Sequence, residues 1–100
     1  MWFDALVNYA SAVGLGTDPA LFETWWPADL HVIGKDITRF HAVIWPAMLM
    51  AAGLPLPRRI HGHGFLTKDG QRMSKSNPGT IIDPAEAAAR HGADPLRLYL

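Results

Sequence analysis

Asp29-Leu30-His31-Val32-Ile33-Gly34-Lys35-Asp36 is the stretch on which the architecture turns. It begins with an acid, runs through a short apolar segment and stops at a glycine, the profile of a short buried strand. A helix is expected next, over 37–52. There Ile37, Phe40, His41, Ile44, Trp45, Met48 and Ala52 fall on one stripe, with Asp36 as candidate N-cap and Gly53 just past the end. Pro46 lies inside this pattern. Proline removes a backbone donor and crowds the preceding turn, so a kink or break is expected near Trp45. Residues 59–67 read as a second strand. The alternation of strand and helix gives the expected fold class, α/β with a parallel sheet.

On the N-terminal side, residues 1–4 read as the end of a strand. Leu6, Tyr9, Ala10 and Val13 then repeat at helical spacing over 5–13. Gly14, Gly16 and Pro19 make a loop, and a short helical turn over 21–26 is stopped by Pro27. On the C-terminal side, Lys68-Asp69-Gly70-Gln71 reads as a tight turn leading back toward Arg72. Residues 74–80, composed of Ser, Lys, Asn, Pro, Gly and Thr, read as a mobile loop. Asp83-Pro84-Ala85-Glu86 places a capping acid, a first-turn proline and an acidic third residue in order, so a helix is expected over 84–91, ending at Gly92. Asp94-Pro95 repeats the signal before a second helix. Both ends of the sequence are abrupt, as expected of a piece cut from a larger domain.

The 100 residues are 49% apolar and 18% charged, a composition that belongs to a globular chain and not to a disordered tail. Acids and bases balance, yet they are segregated. Residues 1–34 carry Asp4, Asp18, Glu23 and Asp29 without a Lys or Arg, whereas seven bases face only Asp36 and Asp69 over 35–75. That surplus suits a phosphate-bearing ligand, although a solvated basic face would look the same. With no Cys, disulfides, thiolate nucleophiles and Cys-based zinc sites drop out, and an intracellular, cytoplasmic setting is expected. The longest uncharged stretch, 42–57, is shorter than the ~20 residues of a membrane span and contains two prolines before its last residue. No membrane partner is expected, and nothing at the N-terminus resembles a secretory signal.

Three constellations could carry chemistry. In Arg72-Met73-Ser74-Lys75-Ser76, an ammonium and two hydroxyls on a loop are suited to closing over a triphosphate; taken alone, the same residues also describe an ordinary surface turn. His61-Gly62-His63-Gly64 offers either ligand contacts or glycines that allow close packing. Its His-x-His spacing has no evident third ligand, so no metal site is expected. Asp36 follows the carboxyl end of a strand, where open α/β sheets bind ligands and a carboxylate can accept hydrogen bonds from a ribose; it equally fits a helix cap.

Together these segments resemble the class I aminoacyl-tRNA synthetases. Residues 72–76 match their KMSKS signature except at the first position, where Arg72 replaces Lys, and residues 77–80 are one residue longer than the common spacing. Three more segments, Trp2 to Tyr9 (WFDALxNY), His31 to Asp36 (HxIGKD) and Phe40 to Leu49 (FHxxxWPxML), are similar to the bacterial-type methionyl-tRNA synthetases. The resemblance covers nearly the whole chain and argues against the sister enzymes for Leu, Ile or Val. It implies the C-terminal half of a Rossmann-like catalytic domain over 1–82, running into a helical stem-contact region over 83–100. It implies ATP contacts by Gly34, Asp36, His63, Gly64, Leu66, Ser74, Lys75 and Ser76, with Lys75 and Arg72 as the catalytic cations. A methionine pocket is implied at Trp2, Ala5, Leu6, Tyr9, Ile37, His41 and Trp45. Implied too are L-methionine, ATP with Mg2+, and tRNA(Met) as ligands of the full-length enzyme. The family's HIGH signature is missing from this chain, so the fragment alone is expected to be inactive. A non-catalytic nucleotide- or tRNA-binding module derived from such a domain is the alternative of a different class.

Overall fold

The computed structural model describes residues 2–100, which form two compact units, 2–64 and 65–100. At the centre of the first unit, strand β1 (His31–Gly34) pairs in parallel with β2 (Ile60–His63), His31 opposite Ile60 and Gly34 opposite His63. Parallel neighbours need a long crossover, and the helical segment between them supplies it. The expected parallel pairing is therefore present. The second strand is shorter than expected, ending at His63.

The crossover changes its winding three times. Lys35–Ile37 is a 3-10 turn, Phe40–Ile44 is π-helical, and Trp45–Ala51 (α3) is α-helical. The Trp45 amide bonds to the Phe40 carbonyl, five residues back. A proline ring in a regular α-helix would strike the carbonyl four residues earlier, so one wider turn directly before Pro46 relieves the clash. The disturbance expected near Trp45 thus takes the form of a π turn. Asp36 is not the cap: Gly34 holds that position, and Asp36 lies within the first turn.

The strand end expected at 1–4 is instead helical. Helix α1 spans Trp2–Ser11, while Met1 lies outside the described residues. The helix expected over 5–13, whose Leu6 and Ala10 pack with Trp26, Trp45 and Leu49 in the core of this unit, is extended backward by Trp2, which lies one turn before Leu6 and stacks on Phe40. A Cβ on Gly14 would lie 2.5 Å from the Asp18 carbonyl oxygen, and its φ of +103° favours glycine. The chain can therefore reverse tightly into α2 (Pro19–Trp25), where Asp18 Oδ1 accepts from the Leu21 amide at 3.0 Å. This cap starts the helix two residues earlier than the expected turn. Trp26, next in the chain, donates its indole N–H to the Pro55 carbonyl at 2.9 Å.

In the second unit, β3 (Thr67–Lys68) and β4 (Gln71–Arg72) form an antiparallel hairpin. Its two-residue turn has positive φ at both Asp69 and Gly70, as the twist of a tight hairpin requires. Helices α4 (Pro84–His91) and α5 (Ala93–Tyr99) follow. Asp83 Oδ1 accepts from the Ala85 amide at 2.7 Å, the cap expected there. Asp94 does not cap α5: the Leu96 amide bonds to the Gly92 carbonyl, so the first turn opens two residues earlier and encloses Asp94 and Pro95. No helix among the described residues is long and apolar enough to cross a membrane.

Candidate active site

Helix α1 and the crossover bring one set of candidate residues together. On α1, Trp2, Ala5, Leu6 and Tyr9 stand at successive helical steps of three and four residues, so they share a stripe. Trp2 stacks on Phe40 with ring centroids 4.8 Å apart. Leu6 is fully buried in the core beside Trp45, whereas Ala5 is exposed and Tyr9 is 38% exposed. The Tyr9 hydroxyl lies 2.8 Å from Nε2 of His41, a side chain only 1% exposed, and His41 Nδ1 lies 3.0 Å from the Ile37 carbonyl oxygen. A carbonyl can only accept, so Nδ1 carries the proton. In the neutral imidazole, Nε2 then accepts from Tyr9. Tyr9, His41 and Ile37 form a one-directional relay that fixes both rings and leaves the Tyr9 oxygen lone pairs as the polar feature at its outer end.

The sequence reading missed His31. It is 7% exposed, and its ring lies 4.6 Å from that of Tyr9 and 6.0 Å from that of His41. Burial, and secondarily the electrostatic effect of a neighbouring second imidazole, His41, pull its pKa below the ordinary value. The signal was available in the alternation of His31 with Ile33, since both point inward from β1. Trp45, 6.2 Å from Tyr9, closes the cluster from beneath. Trp45 Nε1 and His31 Nε2 are buried without hydrogen-bond partners among the described residues, so the rings beside Tyr9 carry two polar atoms that a ligand or ordered water would satisfy. Aromatic faces, a buried aliphatic floor and a few fixed polar atoms suit an unbranched side chain with a polarizable sulfur.

A second set meets at the carboxyl ends of β1 and β2. Gly34 and His63 are register partners there, and Asp36 and Gly64 follow them in the chain. A Cβ on Gly34 would come within 2.8 Å of Asp36 Oδ1, so the glycine makes room for the carboxylate to fold back over the strand end. His63 Nδ1 donates to the Gly64 carbonyl at 2.9 Å, leaving Nε2 of the neutral ring as an acceptor. This edge is the binding side of an open α/β sheet.

The third set lies in the second unit. Ser74 and Asn77 are bridged, the Asn77 amide bonding to the Ser74 carbonyl at 3.0 Å, so Lys75 and Ser76 occupy the tip of a tight turn. Lys75 is exposed and has no ion-pair or hydrogen-bond partner among the described residues. The Ser74 and Ser76 hydroxyls are 2.7 Å apart. Behind them Thr80, 4% exposed, accepts from the Ser74 amide at 3.2 Å and donates to the Asn77 carbonyl at 2.8 Å. Asn77 Nδ2 also donates to Gln71 Oε1, and Lys68 Nζ to the Gly79 carbonyl. The segment expected as a mobile loop is a tied turn. The 3-10 turn Pro78–Thr80, which brings Thr80 back to Ser74, accommodates its extra length. Leu66 accepts from the Met73 amide at 3.0 Å, and Arg72 stacks over Phe65 with Cζ 3.5 Å from the ring centroid. A separate groove of about 340 Å³ in this unit, between Lys68, Ile82, Asp83, Glu86, Arg90 and His91, contains none of the signature residues. The described residues hold no group of three or more His, Cys, Asp or Glu placed to hold a metal.

The family model described as tRNA synthetases class I (M) matches residues 1–100. The methionine–tRNA ligase of Thermotoga maritima is 56% identical over 100 residues, covering 100% of this chain and 16% of that protein. That of Thermosynechococcus vestitus is 56% identical over 103 residues, covering 99% and 19%. Among solved structures, Mycobacterium tuberculosis methionyl-tRNA synthetase in complex with methionyl-adenylate superposes with a TM-score of 0.85 at 56% identity, covering 98% of this chain and 19% of that one. The chain therefore spans less than a fifth of the length of these relatives.

Proposed function

From the premise that this chain belongs to the class I tRNA synthetases of the methionyl type, we propose that the full-length protein carrying it joins L-methionine to ATP and passes the methionine to tRNA(Met). In the first step a carboxylate oxygen of methionine attacks the α-phosphorus, the bond to the bridging oxygen breaks, and pyrophosphate leaves. In the second, the terminal ribose hydroxyl of the tRNA attacks the aminoacyl carbonyl, and AMP leaves. Neither step requires a covalent enzyme intermediate. Positioning and stabilisation of phosphate charge supply the rate.

The roles follow the three sets. Trp2, Ala5, Tyr9, Ile37 and His41 bound the methionine side chain, with Leu6 and Trp45 as its buried backing. Gly34, Asp36, His63 and Gly64 take the nucleoside, Asp36 accepting from a ribose hydroxyl. The Leu66 backbone joins them, while Ser74, Lys75 and Ser76, with Arg72, meet the triphosphate. Lys75 at the tip of its turn, exposed and unpaired, is the group best suited to follow charge onto the departing pyrophosphate. Mg2+ accompanies ATP and is held chiefly through the phosphates. Residues 1–82 then belong to the Rossmann-like catalytic domain and 83–100 to the start of the stem-contact helices, a functional division that falls inside the second compact unit.

The observation that carries the amino-acid assignment is the Tyr9–His41–Ile37 relay, buried at His41 and bordered by His31 and Trp45. Pyrophosphate exchange by the full-length protein tests it, with methionine, leucine, isoleucine and valine supplied one at a time. Exchange driven selectively by methionine is expected. Exchange driven by a branched amino acid would move the assignment to a sister enzyme, and exchange with none would leave a nucleotide- or tRNA-binding module. The 100-residue chain alone is expected to show no exchange.

A further inference from the structure

We propose that Phe65 is a positioning residue for the first cation of the signature turn, its ring holding the Arg72 guanidinium flat so that the in-plane N–H edge is presented to the phosphates of ATP. This rests on the functional reading above and adds a residue to it. The contact is direct: Arg72 Cζ lies 3.5 Å from the Phe65 ring centroid, the separation of a stacked guanidinium.

Hairpin register accounts for the contact. Thr67 pairs with Arg72 and Lys68 with Gln71, and the Met73 amide bonds to the Leu66 carbonyl one step further from the turn. Side chains alternate across a ladder, so Phe65, Thr67 and Arg72 share one face, while Leu66, Lys68 and Met73 share the other. Phe65 is then the diagonal neighbour of Arg72, within reach of a long side chain. On the opposite face Leu66 and Met73 line an apolar pocket with Ile82, Pro84, Ala87 and Leu96. Phe65 and Arg72 both remain exposed.

The chemistry of the side chain explains what a stack adds. A guanidinium carries its five donors in its plane and none on its faces, so a ring against one face restrains the group without consuming a donor. A lysine ammonium is a compact point charge that gains no orientation from such a ring. The Arg found where the family pattern has Lys is thereby matched to an aromatic residue on the adjoining strand.

The test is a double-mutant cycle in the full-length protein, read by methionine-dependent pyrophosphate exchange at varied ATP. Phe65→Leu is expected to lower kcat/KM for ATP roughly two- to fivefold, the range of an exposed cation–π contact, with KM for methionine unchanged. In an Arg72→Ala background the same change is expected to have no further effect, and in Arg72→Lys a smaller one. Phe65→Tyr, which keeps the ring, is expected to preserve activity and serves as the control should Phe65→Leu fold poorly. An equal loss in the Arg72 and Arg72→Ala backgrounds, or an equal loss in Phe65→Tyr, would overturn the proposal while leaving the enzyme assignment intact. Absence of methionine-dependent exchange in the unmodified protein would overturn the functional reading and the proposal with it.

Discussion

Tyr9→Phe removes one oxygen and leaves the aromatic ring among those of His31, His41 and Trp45, so its effect isolates the 2.8 Å bond to His41 Nε2. His41 cannot easily compensate, because its other nitrogen is committed to the Ile37 carbonyl and the side chain is 1% exposed. A buried acceptor left without a partner costs ~1–3 kcal/mol. Tyr9 is 38% exposed, so water can reach the vacated position, which favours the lower part of that range. About 1–2 kcal/mol corresponds to a factor of roughly 5–30. Urea unfolding of the full-length protein should therefore show Tyr9→Phe destabilised by about 1–2 kcal/mol. Unchanged stability would refute the idea that the Tyr9 hydroxyl is what satisfies the buried His41 ring.

Lys75→Ala removes an exposed charge, so stability should hold while the pyrophosphate-exchange rate falls by about 10²-fold, the scale of losing one preorganised transition-state contact; a change under threefold would exclude Lys75 from the phosphate site. Thr80→Val keeps the shape and deletes the bonds to Ser74 and Asn77, and about 1–3 kcal/mol of local destabilisation should appear as faster amide exchange at Ser74 and Asn77. Unaltered protection would mean the turn is held by other contacts. His31 is held below its ordinary value of 6.5, so the folded state favours the neutral ring and the unfolded chain takes up its proton first as pH falls. The stabilisation is fully present above pH 6.5 and is lost as pH drops through the lower folded value. His31→Asn should accordingly flatten the acid limb of the urea midpoint, and a limb parallel to the unmodified protein's would assign the pH dependence elsewhere.

The parallel pair and its crossover were legible because short apolar runs bounded by glycine, and a long stripe between them, leave few alternatives. The Asp83 cap was legible for the same local reason. Trp2 and Phe3 misled, since aromatic residues favour strands as isolated types, while the contact that the helix makes possible there, Trp2 stacked on Phe40, belongs to tertiary packing. Composition marked 74–80 as a mobile loop and could not show that Thr80 is buried and ties Ser74 to Asn77. Motif resemblance named Tyr9 and His41. Their bond, the contribution of His31 and the stack of Arg72 on Phe65 depend on register and distance, which a linear pattern does not contain.

The wide turn at Phe40–Ile44 makes the aromatic cluster sensitive to chain length in a way that side-chain identity does not reveal. Deleting one residue there would let the helix relax to regular winding, rotating the segment before the deletion by about 100° against the segment after it. His41 and Trp45 would then no longer face Tyr9 together, although every pocket residue would still be present. Segments exchanged between relatives must match in length across these five residues, whereas the connection between Gly53 and Ile60 can vary without changing that phase. Within this helix, spacing is as much a specificity determinant as the side chains it carries.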